Sequence, residues 1–243
     1  MAIKNLYKEI IQQIASEPMT LIILDLDSTI YDLTERQLKI FREFSEVERF
    51  LNQFPKECEA LSQLDEDHMT FYPVDCIKNY GVKEIDSDFE DVFYPYWAER
   101  FFSNDYLKYD LVEDMAVDFV HDLFERGAYI RYLTGRDVAR MGEGTHDTLK
   151  KHDFFPSGDP CEKVSLVLKP EKSMNDAEFK RDYIQSCYDE GFKKIIFIDN
   201  EPKNLVLAET FGEKMHIVHF DTYHMGDTEV PESATVIDSF QFK

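Results

Sequence analysis

The sequence is poor in basic residues. Its 243 residues include 27 lysines and arginines against 49 aspartates and glutamates, for a formal net charge of -22. A chain this acidic repels a phosphate backbone, and no stripe of lysine or arginine offers a local exception. We therefore expect that long nucleic acid is not a partner.

The sequence also lacks closely spaced cysteines and long apolar runs, and each absence excludes classes of protein. Cys58, Cys76, Cys161 and Cys187 are widely spread and form no CxxC pair, so neither a disulfide framework nor a cysteine-rich metal site is indicated. No run of about 18 apolar residues occurs, and the chain does not begin with the basic and apolar segments of a leader. These absences predict a soluble cytoplasmic protein with no membrane partner.

The most informative stretch is a short apolar run that ends in acids. Residues 21–24 are followed by Asp25, Asp27 and the hydroxyls of Ser28 and Thr29, the pattern of a buried strand entering a polar loop. Alternation along a strand puts both carboxylates on one side, where they repel each other. A divalent cation, or a proton retained near neutral pH, would relieve that repulsion, and either one indicates chemistry. The alternative is an ordinary strand followed by an Asp/Ser turn.

Strand and helix patterns alternate along much of the chain. Further strands are predicted at 128–133, 164–168, 195–198, 215–220 and, shorter, 235–237. Helices are predicted at 3–15, 112–124 and 138–151, the last interrupted near Gly142 and Gly144, and after Asn175 and Pro202. This alternation predicts an α/β fold with a doubly wound parallel sheet.

Residues 35–107 break the alternation. The segment is acidic, rich in aromatic residues and free of apolar runs of strand type, which predicts a helical insertion. The predicted domains are therefore an α/β core of residues 1–34 and 108–243 and a helical domain of residues 35–107. The aromatic residues are interpreted as a small core, with a ligand-stacking surface as the alternative.

Polar residues also follow the other predicted strands. They are Thr134, Gly135 and Arg136 after the second strand, Lys169 after the third and Asp199 after the fourth. Because the carboxyl ends of parallel strands share one edge of a sheet, these residues would converge with Asp25 and Asp27. Each also has a structural alternative: a helix-entry turn at Thr134, a solvated charge at Lys169 and a helix cap at Asp199.

Taken together, these motifs resemble those of the haloacid dehalogenase superfamily of phosphatases. The four motifs of that superfamily are matched in order by DLDST, TGR, the Lys169 segment and IDNEPKN, which together span residues 21–204. The resemblance implies a Rossmann-like core in which residues 35–107 form a helical cap inserted after the first strand. Such a cap closes over the site and selects the substrate.

The resemblance also implies roles for individual residues. Asp25 would attack phosphorus to form an aspartyl-phosphate, and Asp27 would act as the general acid and base. Thr134, with Gly135, would bind phosphoryl oxygens, while Lys169 would neutralise Asp25 and the transferring group.

The same resemblance implies a metal ion. Magnesium would bind the Asp25 carboxylate, the Asp27 carbonyl and Asp199. Arg136 is a candidate for binding phosphate or a substrate anion, although pairing with a carboxylate is the commoner fate of an arginine.

One position departs from the pattern of the superfamily. Many relatives carry a second acid in the fourth motif, where this chain has Asn200, so Asn200 and Glu201 are secondary candidates for the metal shell. Tyr31 and Asp32 lie where the superfamily has a mobile flap, and either contact with the leaving group or a structural turn is expected there.

The predicted function is a magnesium-dependent phosphatase acting on a small phosphorylated metabolite, such as a nucleotide or a sugar phosphate. Polynucleotide-end phosphatases share a TGR-type motif, but the charge of -22 argues against them. The alternative from another class is a catalytically silent binding or regulatory protein on the same fold. The oligomeric state is left open.

Overall fold

The computed structural model describes residues 2–243, and the chain divides into two compact units. One unit comprises the chain up to Asp32 together with Val112–Lys243, and the other is Leu33–Leu111. Each unit has its own core and is described separately.

The first unit is built on a parallel sheet. The strands of the chain are β1 (Thr20–Leu24), β2 (Tyr31–Asp32), β3 (Leu111–Val112), β4 (Tyr129–Asp137), β5 (Val164–Lys169), β6 (Lys194–Asp199), β7 (Met215–Phe220) and β8 (Thr235–Ile237). Six of them form one sheet in the order β5-β4-β1-β6-β7-β8, with every neighbouring pair parallel, and β2 and β3 form a separate two-stranded sheet. The predicted α/β class is therefore confirmed. β1 lies inside the sheet between β4 and β6, and all five of its residues are buried.

Helices connect the strands. Their bounds are α1 (Ala2–Ser16), α2 (Thr34–Ser45), α3 (Glu48–Gln53), α4 (Pro55–Gln63), α5 (Pro73–Tyr80), α6 (Phe89–Phe101), α7 (Ala116–Glu125), α8 (Val138–Lys151), α9 (Asp176–Asp189) and α10 (Pro202–Glu209). Each helix of the α/β unit buries one apolar face, as Ile3, Leu6, Ile10 and Ile14 do at helical spacing in α1.

Two predictions of local structure are wrong. The second predicted strand does not end at 133, because β4 continues to Asp137 through an irregularity of pairing between Thr134 and Asp137. The following helix is not interrupted, since α8 runs unbroken through Gly142 and Gly144. A glycine inside a helix costs only about 1 kcal/mol, which the buried face of α8 offsets.

The helical unit has an aromatic core. The rings of Phe44 and Phe50 stack with centroids 4.1 Å apart, and Phe89 and Phe93 stack at 4.9 Å and are fully buried. Burying such rings stabilises a small unit beyond the area that they cover. By contrast, Phe71 and Tyr72 of the same segment are exposed.

Among residues 2–243, no helix has the length and apolar character needed to cross a membrane. Free thiols account for all four cysteines, of which Cys58, Cys76 and Cys187 are buried and Cys161 is exposed.

Candidate active site

The centre of the candidate site is a pair of carboxylates at the ends of neighbouring strands. Asp25 directly follows β1 and Asp199 is the last residue of β6, and the Asp25 N–H donates to the Ile198 carbonyl at 2.9 Å. The parallel pairing of β1 with β6, in which Leu24 lies opposite Ile198, brings the two acids side by side. Both are buried.

A lysine that the sequence analysis missed joins these two acids. The Lys180 Nζ lies 2.5 Å from an Asp25 oxygen and 2.7 Å from an Asp199 oxygen, and all three residues are buried. Lys180 projects from the buried face of α9, where Ala177, Lys180, Ile184 and Cys187 recur at helical spacing. Lys180 could therefore have been identified in the sequence as a lysine at a core position of an amphipathic helix.

Burial and charge oppose each other in this cluster. Burial raises the pKa of Asp25 to about 7; the Lys180 ammonium opposes that rise, and the negative charges of Asp199 and Asp27 add to it. Burial also disfavours the charged form of Lys180, but Asp199 and Asp25 together raise its pKa above the ordinary value. Lys180 therefore stays protonated, whereas Asp25 titrates near neutral pH.

Asp27, two residues after Asp25, is held by Arg136. The guanidinium donates to both Asp27 oxygens, at 2.7 and 3.0 Å, and to the Thr145 hydroxyl at 3.4 Å. The Arg136 side chain is 1% exposed, while that of Asp27 is 31% exposed. Of the two roles considered for Arg136, the structure thus shows the carboxylate pair and not a cation open to substrate.

Thr134 and Gly135 lie in the irregular end of β4. Thr134 is fully buried, and its hydroxyl accepts a hydrogen bond from the Arg136 N–H at 3.2 Å. Gly135 lies close to Asp176. A Cβ built on Gly135 would be 2.6 Å from a carboxylate oxygen of Asp176. A larger residue at this position would displace the Asp176 side chain, which also accepts a hydrogen bond from Lys169.

Lys169 stands at the end of β5, as predicted, but its side chain bonds groups other than Asp25. Its Nζ donates to the Met174 carbonyl at 3.2 Å and to the Asp176 carboxylate, so the predicted neutralisation of Asp25 falls to Lys180 instead. The physical reason is that β5 lies at the edge of the sheet beyond β4, whereas α9 carries Lys180 to the acids on β1 and β6.

Asp199 is fixed by its neighbours in the fourth motif. One of its oxygens accepts from the Glu201 N–H at 2.8 Å, and the Asn204 amide donates to both oxygens, at 3.1 and 2.9 Å. Asn204, in the first turns of α10, is a second residue that the sequence analysis missed, although it lies within the IDNEPKN motif. These donors fix the orientation of the carboxylate, as supporting contacts around a metal ligand do.

The remaining candidates have other partners. The Asn200 amide donates to the Tyr223 carbonyl at 2.5 Å, and a Glu201 oxygen accepts from the Met225 N–H at 3.1 Å. Tyr31 is fully buried, and its ring meets that of Phe154 edge to face at 5.5 Å. The Tyr31 side chain thus packs in the core, while its neighbour in β2, Asp32, is partly exposed.

The donor set suits a hard cation. Asp25, Asp199 and the main chain at Asp27 offer only oxygen ligands, which Mg²⁺ prefers, and Mg²⁺ retains several waters where the protein supplies few ligands. Lys180 and Arg136 together do not balance the three carboxylates, so the site has an excess of negative charge that a cation would neutralise. Within residues 2–243, no cluster of three or more His, Cys, Asp or Glu side chains is arranged to hold a metal ion.

The fold is similar to that of two solved structures, one of a predicted phosphatase and one of a hydrolase. A predicted phosphoglycolate phosphatase from Haemophilus somnus superposes with a TM-score of 0.55 at 15% identity, over 90% of this chain and 94% of its own. A hydrolase of the haloacid dehalogenase superfamily, subfamily IA, variant 1, from Geobacter sulfurreducens gives a TM-score of 0.55 at 13% identity, over 92% and 94%. No family model matches the sequence, and no curated protein matches it either. The chain therefore has the fold of the haloacid dehalogenase superfamily, the fold that its motifs imply.

Proposed function

We propose that the protein is a magnesium-dependent phosphatase that hydrolyses a small phosphorylated metabolite through an aspartyl-phosphate on Asp25. The observation that carries the proposal is the placement of Asp25 at the end of a central strand, where Lys180 bonds both Asp25 and Asp199, with Asp27 two residues further on. Fold alone assigns no activity, so this cluster of charges supplies the chemical support.

The reaction follows from these groups in two steps. An Asp25 carboxylate oxygen forms a bond to phosphorus while the bond from phosphorus to the leaving oxygen breaks, and Asp27 gives that oxygen a proton. Asp27 then takes a proton from water as the water attacks the phosphorus, which releases Asp25 and inorganic phosphate. Arg136 holds the Asp27 carboxyl in place through two hydrogen bonds during both transfers.

Lys180 and the end of β4 have supporting roles. The Lys180 ammonium lies within hydrogen-bond distance of Asp25, so it favours the ionised nucleophile and offsets the charge of the phosphoryl group. Main-chain N–H groups around Thr134 and Gly135 are proposed to bind phosphoryl oxygens. A bound Mg²⁺, held by Asp25, Asp199 and the Asp27 carbonyl, would add positive charge beside the transferring group.

The substrate class is proposed from charge and architecture. A chain of net charge -22 disfavours long polyanions, so a nucleotide or sugar phosphate is a better candidate than a nucleic-acid end. Residues 35–107 are proposed to act as the cap that selects among such substrates. The free cysteines fit the proposed cytoplasmic location.

The test is phosphate release from a panel of phosphorylated nucleotides, sugars and small acids, measured with Mg²⁺ and with excess chelator. We expect hydrolysis of a subset of the panel, its loss in chelator, and its recovery with Mg²⁺ but not with Zn²⁺. The control is Asp25→Asn, which nearly preserves shape but removes the nucleophile. Full turnover in chelator would contradict the metal assignment, and a folded parent that hydrolyses nothing would favour the silent binding protein.

A further inference from the structure

The loop that follows β7, residues 221–226 (here the β7 loop), is tied to both acidic loops of the site. β7 pairs with β6, and Asp199 lies opposite His219, so the β7 loop leaves the sheet at the same edge as the candidate site. None of the superfamily motifs contains these residues. Their position nevertheless depends on motif residues.

Three hydrogen bonds join the β7 loop to the two acidic loops. The Thr222 hydroxyl donates to the carbonyl of Ser28, in the loop after β1. The Asn200 amide donates to the Tyr223 carbonyl at 2.5 Å, and the Met225 N–H donates to Glu201 at 3.1 Å. The β7 loop is therefore bonded to the segment after Asp27 and to the segment after Asp199.

The chemistry of Asn200 fits this connection better than a role as a metal ligand. A carbonyl oxygen can only accept, so the group that faces Tyr223 must be the amide NH₂ of Asn200. The other end of the same amide accepts from the Thr29 hydroxyl at 3.4 Å, and Asn200 is buried. An aspartate here would place a carboxylate against a carbonyl oxygen, with neither able to donate.

The backbone at Ser28 shows how closely the loops depend on each other. Ser28 has φ of 56°, in the left-handed region that non-glycine residues seldom adopt. Its carbonyl accepts from Thr222, and its N–H donates to the Tyr31 carbonyl at 2.8 Å. The β7 loop thus helps to hold the turn that carries Asp27.

The β7 loop also presents apolar side chains. Tyr223 is 43% exposed and Met225 is 40% exposed. On the opposite flank of the site, the buried groups at the end of β4 are followed by Val138, a single apolar residue that is 54% exposed. The β7 loop therefore places two exposed apolar side chains on one short segment bonded to both acidic loops, a surface that suits a flat apolar part of a substrate.

We infer that Asn200 is a positioning residue that fixes the β7 loop, and that this loop contacts the apolar or planar part of the substrate's leaving group. The inference rests on the proposed function for its substrate, but the attachment of the loop can be measured without turnover. This role accounts for Asn200 where many relatives carry an acid, because an amide can donate to the Tyr223 carbonyl and a carboxylate cannot.

The experiment uses two variants and one matched control. Asn200→Asp removes the donor to Tyr223, Thr222→Val removes the donor to Ser28 without altering a candidate metal ligand, and Thr228→Val changes a threonine that bonds only its neighbour Asp227. Hydrogen–deuterium exchange of residues 221–226 reports on the attachment. We expect exchange to rise about tenfold in the first two variants, as for the loss of one buried hydrogen bond, and to stay at the parent level in the third.

Kinetics with two probe substrates test the contact. For p-nitrophenyl phosphate, which has a flat aromatic leaving group, we expect KM to rise about tenfold in Asn200→Asp and Thr222→Val with a much smaller change in kcat. For acetyl phosphate, which has no ring, the rise in KM should be several times smaller.

Three results would overturn the inference. They are unchanged exchange in both variants, equal KM changes for the two probes, and tighter magnesium binding by Asn200→Asp with no change in exchange, which would assign residue 200 to the metal shell. If the parent hydrolyses neither probe, the proposed function and the substrate contact fail together. The exchange measurement then decides separately whether Asn200 holds the loop.

Discussion

The molecule buries charge in two places, and the two are built differently. In the helical unit, Arg36 and Asp110 form a pair in which both side chains are fully buried and each carboxylate oxygen lies 2.5 Å from the guanidinium. In the α/β unit, Lys180 alone bonds two buried carboxylates, Asp25 and Asp199. The first arrangement is neutral, whereas the second retains negative charge.

The difference separates a structural ion pair from a reactive one. Arg36 also donates to the Phe101 carbonyl and lies over the Phe101 ring at 4.6 Å, so its surroundings are complete without a ligand. In the Lys180 cluster, burial raises the pKa of Asp25, and the negative charges of Asp199 and Asp27 add to that rise. A buried cluster with excess negative charge at the carboxyl ends of the strands has the properties of a functional site. A neutral buried pair has those of a structural contact.

The largest effect is expected from the nucleophile. Asp25→Asn should lower kcat by about 10⁴-fold or more, because it removes the attacking oxygen. The variant should unfold at or above the melting temperature of the parent, because one of the crowded buried charges is gone. Phosphate release and a melting curve on the same preparation measure both. A folded variant with near-parent turnover would rule out covalent catalysis by Asp25.

The next prediction compares two lysines. Lys180→Met leaves Asp25 and Asp199 facing each other without a cation, so we expect a loss of about 3 kcal/mol in unfolding free energy and a fall in kcat of roughly 10²–10³-fold. Lys169→Met is the matched control. Its partner Asp176 has a side chain that is 55% exposed, so its loss should cost less than about 1 kcal/mol.

Denaturant unfolding and kinetics of both lysine variants decide the assignment. If Lys169→Met were less active than Lys180→Met, Lys169 would be the lysine that neutralises Asp25.

Breaking the balanced pair should affect stability alone. Arg36→Met strands a fully buried Asp110 and should cost about 3–5 kcal/mol of unfolding free energy, whereas Arg36→Met combined with Asp110→Leu should recover most of that loss, because neither charge remains. Urea unfolding of the parent and the single and double variants measures the coupling. A double variant as unstable as the single one would mean that the pair contributes more than its mutual neutralisation.

The contrast also shows what the sequence could and could not predict. Strand and helix periods define the order of elements, so the parallel sheet and the acids at its edge were predictable. Which partner each acid would have was harder to predict, because Arg136 and Asp27 are 109 residues apart and Lys180 and Asp25 are 155 apart. Pairing over such distances depends on packing, which residue spacing does not report.

Lys169 illustrates the limit of motif spacing. A lysine directly after a strand matches the superfamily pattern, yet β5 is an edge strand and its lysine bonds the first turn of α9. The lysine that reaches Asp25 comes from the buried face of that helix. The helical period contained this information, but an apolar stripe interrupted by one lysine is more simply interpreted as a solvated position.

The smallest effect expected is a pH dependence confined to the unbalanced cluster. In protein kept free of metal by a chelator, the pKa of Asp25 is raised from 3.8 to about 7, mainly by burial. A carboxyl with a raised folded-state pKa binds its proton more readily when folded, so this group contributes stability as the pH falls through 7. From pH 8 to pH 6 the gain should be about 1.4 kcal/mol, or roughly 2–4 °C in Tm.

Two variants test this pH dependence. Asp25→Asn has no carboxyl to titrate at this position, so the Tm of the parent should rise relative to that of Asp25→Asn as the pH falls from 8 to 6. Arg36→Met retains the cluster, so the difference in Tm between the parent and Arg36→Met should stay constant. Parallel Tm profiles for the parent and Asp25→Asn would show that the charge on Asp25 is fully balanced, and the distinction between the two buried clusters would then fail.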